Sequence, residues 1–94
     1  MNDHELLELA YRAYAPGANY VRLINDAGHG YWNPLTDDGD ALRLAVKLKM
    51  AVSVCTDYTV MLSCETRENH GTDPYAATRR AIVRAAAEIG RTME

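Results

Sequence analysis

Two short segments of the sequence place aromatic and hydrogen-bonding groups just ahead of a helix start. One is Tyr31, Trp32 and Asn33; the other is His70, Gly71, Thr72 and Asp73. Arg79 and Arg80 lie about two turns into the second helix, and Arg43 holds a matching place in the first. Aromatic faces stack on nucleobases, while arginines and helix-start amides hold phosphates. The pattern therefore predicts a site for an anionic, base-bearing ligand built from Tyr31, Trp32, Asn33, Arg43, His70, Thr72, Arg79 and Arg80. Each residue also has an ordinary reading. Trp32 alone is a core or subunit-interface anchor, and the arginines alone solvate a helix face.

Catalytic chemistry has less to stand on. His4, His29 and His70 fall at a helix start, in a turn and in a polar loop, and none accompanies a nucleophile motif. Gly28-His29-Gly30 lacks the spacing of a phosphate loop. Asp37, Asp38 and Asp40 resemble an acidic metal loop, but alternating ligands and a distant Glu are missing, and carboxylates at a helix start favour its dipole. Cys55 and Cys64 have no CxxC or HxxxH company and are expected to be reduced, buried thiols. A bridge between them is unfavourable, because in a tight hairpin Cys55 lies opposite Tyr58 and Cys64 falls beyond the partner strand. No catalytic residue, metal or cofactor is assigned, and the chain is expected not to be an enzyme.

These groups need a scaffold, and its punctuation is clear. Asn2 with Glu5 three residues later forms a capping box for a first helix carrying Leu6, Leu7, Leu9, Ala10 and Tyr14. Ala15-Pro16-Gly17 ends that helix. Tyr20 to Ile24 and Gly30 to Trp32, separated by a turn-like Asn25-Asp26-Ala27-Gly28, read as a hairpin. Asn33-Pro34 is extended, and Thr36 or Asp37 caps a helix through Leu48. Residues 51 to 55 and 58 to 64 read as a second hairpin joined by Thr56-Asp57, and Glu65 to Gly71 reads as polar and turn-rich. Asp73 and Pro74 start the last helix, whose expected inward stripe is Tyr75, Ile82, Ala86, Ile89 and Met93, with Arg80, Arg84 and Arg91 outside. Ala85-Ala86-Ala87 permits close packing.

An echo at an offset of 36 residues aligns Thr36-Asp37 with Thr72-Asp73, Ala41 with Ala77, Arg43 with Arg79 and Ala45 with Ala81. A ββα duplication and chance similarity of two alanine-rich helices both account for it.

Ninety-four residues, 48% hydrophobic and 24% charged, make one ordinary globular domain. A domain this small gains buried area by oligomerising, so a homo-oligomer is expected. A net charge of -3 and a pI near 5.5 exclude a general nucleic-acid binder. No apolar run reaches membrane-span length, and Asp3, Glu5 and Glu8 stand where a signal peptide would be basic and then apolar, so a cytoplasmic location is expected.

The run Trp32-Asn33-Pro34-Leu35-Thr36-Asp37-Asp38-Gly39-Asp40-Ala41-Leu42-Arg43-Leu44-Ala45-Val46-Lys47-Leu48, followed by His70-Gly71-Thr72-Asp73-Pro74-Tyr75-Ala76-Ala77-Thr78-Arg79-Arg80-Ala81-Ile82-Val83-Arg84-Ala85-Ala86, resembles the phage ABA sandwich domain of small phage and prophage proteins. The resemblance spans nearly the whole chain and is weakest over about residues 49 to 69. It implies an α+β fold with α/β/α layers; the element order αββαββα and a mostly antiparallel four-stranded sheet come from the sequence. The family is defined by fold rather than by an activity. By analogy with small phage proteins that form symmetric oligomers, the expected function is a homo-oligomeric sponge. It would sequester a cyclic nucleotide or cyclic ADP-ribose-like messenger of bacterial immunity, stacking the base on Tyr31 or Trp32 and holding phosphates with Arg79 or Arg80. The alternative is a phage accessory protein that binds and modulates a host or phage protein.

Overall fold

The computed structural model describes residues 2–17, 32–62 and 64–93. Within them three helices and a three-stranded antiparallel sheet form an α+β fold: α1 (Asp3–Tyr14), α2 (Asp38–Lys47), β1 (Val52–Val54), β2 (Tyr58–Met61), β3 (Thr66–Asn69) and α3 (Pro74–Arg91).

Each helix begins where its cap chemistry dictates. Asn2 and Glu5 close the expected capping box, with the Asn2 side chain accepting from the Glu5 amide at 2.8 Å and the Glu5 carboxylate accepting from the Asn2 amide at 3.2 Å. Asp37, rather than Thr36, caps α2 through the Asp40 amide at 2.7 Å. Asp73 caps α3 through the Ala76 amide at 3.1 Å, with Pro74 in the first position where its missing N–H costs nothing.

The sheet runs β1-β2-β3, with Val54 opposite Thr59 and Thr59 opposite Glu68. Alternation then sends Val52, Val54, Thr59, Met61, Thr66 and Glu68 to one face, and Ser53, Tyr58, Val60, Arg67 and Asn69 to the other. α3 packs on β2 and β3 through the first face, and α1 and α2 pack on α3. All three helices thus gather on the Thr59–Met61 side, and the expected placement of helices on both faces is not found among the described residues.

α3 is the pillar of the core. Its buried residues are Ala77, Ala81, Ile82, Val83, Ala85, Ala86, Ala87 and Gly90. Against them lie Leu6, Leu7 and Ala10 of α1, Ala41, Leu44 and Ala45 of α2, Met61 of β2, and Trp32. The expected stripe is corrected accordingly. Ile82 and Ala86 are inside, but Tyr75, Ile89 and Met93 are exposed, because α3 is packed on several sides through its own small residues rather than along one stripe of large ones. At Gly90 the backbone of α1 comes close: an added Cβ would stand 1.8 Å from the Leu9 carbonyl oxygen. No side chain fits between the two backbones there.

Three further expectations change. The Glu65 to Gly71 stretch contains β3, a strand whose inward positions are the polar Thr66 and Glu68 and which apolar alternation therefore misses. The same strand separates the second hairpin from α3, so the second half runs βββα rather than ββα, while the first hairpin of the 36-residue echo lies outside the described residues. Cys64 is exposed in the turn after β2 with its Sγ 3.1 Å from the Thr66 hydroxyl, while Cys55 is half-buried; both are free thiols. The expected first hairpin, Tyr20 to Ile24 and Gly30 to Trp32, lies outside the described residues apart from Trp32, and with it two of the four expected strands. No described helix is long and apolar enough to cross a membrane.

Gly90→Ala is expected to destabilise the fold by about 2–3 kcal/mol, the upper part of the range for forcing extra volume into a packed core. Urea unfolding followed by circular dichroism reads this directly; a midpoint unchanged from wild type would contradict the close α1–α3 contact.

Candidate functional site

The residues expected to form one site separate into three environments. Trp32 is buried, 8% exposed, with its ring centroid 5.1 Å from that of Tyr11 in an edge-on arrangement and 5.3 Å from that of Tyr14. It joins the α1–α2 side of the core, the ordinary reading of a lone tryptophan, and its faces are occupied by protein rings. Asn33 is a turn residue: its Oδ1 accepts from the Leu35 amide at 3.1 Å, and its own amide donates to Asp40 at 2.9 Å. Tyr31 lies outside the described residues.

The candidate arginines Arg43, Arg79 and Arg80 are each engaged with a carboxylate. Arg79 donates from Nε to the Leu35 carbonyl at 2.8 Å and from its guanidinium to Asp38 at 2.6 Å, locking α3 to the entrance of α2. Arg80 reaches Asp3 of α1 at 2.9 Å. Arg84 pairs with Glu68 of β3. Arg43, the counterpart of Arg79 in the echo, instead folds back on its own helix start, 2.7 Å from Asp40 and 3.8 Å from Asp37. That hydrogen bond to Asp40 raises its pKa above the ordinary guanidinium value. A phosphate arriving at any of these arginines would have to displace a carboxylate already in place, so the arrangement is poor for anion capture by a single chain.

His70 and Thr72 stand before α3, and only His70 has an internal role. Its Nδ1 lies 3.2 Å from the Thr56 carbonyl, which can only accept, so Nδ1 carries the proton in the neutral ring and Nε2 accepts from the Thr59 hydroxyl at 2.9 Å. Thr59 is in turn 2.8 Å from the Thr78 hydroxyl of α3. A hydroxyl, an imidazole and an orienting carbonyl in this order are the parts of an activated nucleophile. Here, however, Thr59 is 0% exposed, and its hydroxyl serves to tie β2 to α3 and to the loop before it. Thr72 is exposed in the turn that precedes Asp73.

The prominent surface feature is one that the polar motifs did not mark. Leu42 of α2, Val54 of β1 and Tyr75 of α3 are 64%, 62% and 70% exposed. They line one open groove of about 370 Å³, floored by Ala41, Thr78 and Ile82 and closed at one end by the Asp38–Arg79 pair. Large apolar side chains from three elements are thus brought together and left in water. Leu42 stands one turn from the likewise exposed Val46, a pair that contributes to no inward stripe and so carried the available sequence signal. A second cleft, of about 420 Å³, lies between α1, β3 and α3; Arg80, Arg84, Glu68 and Glu88 line it, with opposite charges neutralising one another. Among the described residues no group of His, Cys, Asp or Glu has the geometry to hold a metal ion.

Comparison with known proteins adds no relative: no family model, no curated protein and no solved structure matches the chain.

Thr59→Val keeps the shape of the buried side chain but strands the Thr78 hydroxyl and His70 Nε2, and is expected to cost about 1–3 kcal/mol. Guanidinium unfolding of the variant checks this; no loss of stability would mean that the three groups find other partners.

Proposed function

We propose that this chain is a non-enzymatic binding protein whose working surface is the Leu42–Val54–Tyr75 groove and whose ligand is another protein. The observation that carries the reading is the gathering of three exposed, large apolar side chains around one groove, while the neighbouring polar groups are already paired. Such a surface gains by desolvating against a complementary apolar one, and protein interfaces are centred on aromatic and aliphatic anchors of this kind. In the setting suggested by resemblance to the phage ABA sandwich domain, the partner is a phage-encoded or host protein, a second copy of this chain included.

Nucleotide sequestration, the function expected from the sequence pattern, has less support. It requires Arg79 to leave Asp38 or Arg80 to leave Asp3, and it requires a stacking partner other than the buried Trp32. The groove offers an exposed ring in Tyr75 but a mostly apolar lining, which suits a side chain better than a phosphate.

Leu42→Asp places a charge at the mouth of the groove at an exposed position and is expected to leave the fold intact while abolishing capture of the protein partner in affinity purification. In parallel, calorimetry with cyclic dinucleotides and cyclic ADP-ribose is expected to show no saturable heat. Saturable nucleotide binding that Arg79→Ala removes, with protein capture unaffected by Leu42→Asp, would overturn the proposal in favour of a sponge.

A further inference from the structure

The groove has a sign as well as an apolar character. Around the starts of α2 and α3 and the β1–β2 turn stand Asp37, Asp38, Asp40, Asp57 and Asp73, against Arg43 and Arg79. The three segments meet there: Asp38, Val54, Tyr75 and Arg79 share the groove lining, the His70 amide donates to the Asp57 carbonyl at 2.8 Å, and the Asp73 amide donates to the His70 carbonyl at 3.2 Å. Both arginines are consumed by carboxylates within the cluster. The groove is thus apolar at its centre, its lining Asp38 is paired with Arg79, and the segments around it carry a surplus of carboxylates.

This disfavours one simple form of association. Two copies meeting groove to groove about a two-fold axis would bring these carboxylate-rich segments together, and like charges in an interface oppose docking. The surface that fits is apolar and cationic. The same chain carries one on the far side of its sheet. The central strand has apolar residues on both faces: Met61, beside the buried Thr59, meets the helices, while the half-buried Tyr58 and Val60 point the other way, with the exposed Leu62 continuing their row. Arg67 of β3, opposite Val60, lays its guanidinium 3.8 Å from the centroid of the Tyr58 ring. Such stacking presents a cation flush with an apolar face. No described helix packs on that face.

We propose that a second copy of this chain occupies the groove, presenting the outer sheet face formed by Tyr58, Val60, Leu62 and Arg67. The inference rests on the groove being a protein-docking surface and names its occupant. Because the two surfaces are different, the contact is heterologous: each copy offers one groove and one sheet face, and assembly proceeds head to tail into a ring or an open chain of subunits. Arg67 of the incoming copy meets the carboxylate-rich segments around the groove, supplying the unspent cation that the groove's own arginines do not provide.

The test uses the full chain in analytical ultracentrifugation across a concentration series. Wild type is expected to form dimers and larger species that weaken as salt rises. Leu42→Asp, which spoils the groove, and Arg67→Glu, which spoils the sheet face, are each expected to sediment as monomers with unchanged circular dichroism. Mixed together, they are expected to form a one-to-one dimer and nothing larger, since one intact groove and one intact sheet face remain. Continued assembly by Arg67→Glu alone would overturn the proposal in favour of groove-to-groove pairing. A wild type that stays monomeric throughout would overturn it too, leaving the groove to a different protein. Assembly unaffected by Leu42→Asp would sink both this inference and the reading of the groove as a docking surface.

Discussion

The contact on which the structure turns is the alanine and glycine face of α3. With Gly90 against the Leu9 carbonyl of α1, and Ala81, Ala85 and Ala86 fully or almost fully buried, the last helix comes within backbone reach of its neighbours. Close approach of small residues leaves no volume for long side chains on that face, so the arginines of α3 emerge along its flanks. There three of them meet different elements, Arg79 the start of α2, Arg80 the start of α1 and Arg84 the strand β3, while Arg91 pairs with Glu88 within α3. Solvent-accessible ion pairs contribute only about 0–1 kcal/mol each, whereas burying one large apolar side chain contributes about 1.5–3 kcal/mol. Packing therefore holds the fold, and the ion pairs set how the elements are aligned around α3.

The same economy explains the surface. α2 lends its Ala41, Leu44 and Ala45 to α3, which turns Leu42 and Val46 outward. The short β1 ends at Val54 beside them, and Tyr75, one residue into α3, stands above the helices rather than between them. A chain of 94 residues does not have enough partners to cover every apolar residue it carries. Three of the uncovered ones, Leu42, Val54 and Tyr75, share one groove.

Much of the scaffold was legible because capping chemistry is local. Asn2 with Glu5, Asp37 and Asp73 each mark a helix start through a side chain that reaches an amide three residues on, and such signals do not depend on the rest of the fold. The β1–β2 hairpin followed from β-branched alternation around Thr56-Asp57 in the same way. β3 was illegible because Glu68 points inward and is neutralised by Arg84, a partner 16 residues away that no local pattern reveals. The inward stripe of α3 failed for a related reason. Large residues mark the buried stripe of a helix packed on one side, but in a helix clasped from several sides the small residues are inside. Helix starts with nearby aromatics and arginines made a credible anion site in one dimension; in three, Asp38, Asp3 and Glu68 had taken the arginines and Tyr11 and Tyr14 had taken Trp32. The groove drew little notice in the sequence because exposure of an apolar residue is a property of the packing around it.

The central claim is that Leu42 and Val54 are uncovered in a single copy and become covered only by another. Methyl NMR with a soluble paramagnetic agent measures this directly, by comparing the relaxation of the Leu42, Val54 and Val60 methyls in dilute and concentrated protein. The account predicts strong relaxation of Leu42 and Val54 at dilution, and protection of all three methyls together as concentration rises. Methyls of Leu42 and Val54 that are protected even at the lowest concentration would contradict it, because the groove would then be filled by the chain's own residues.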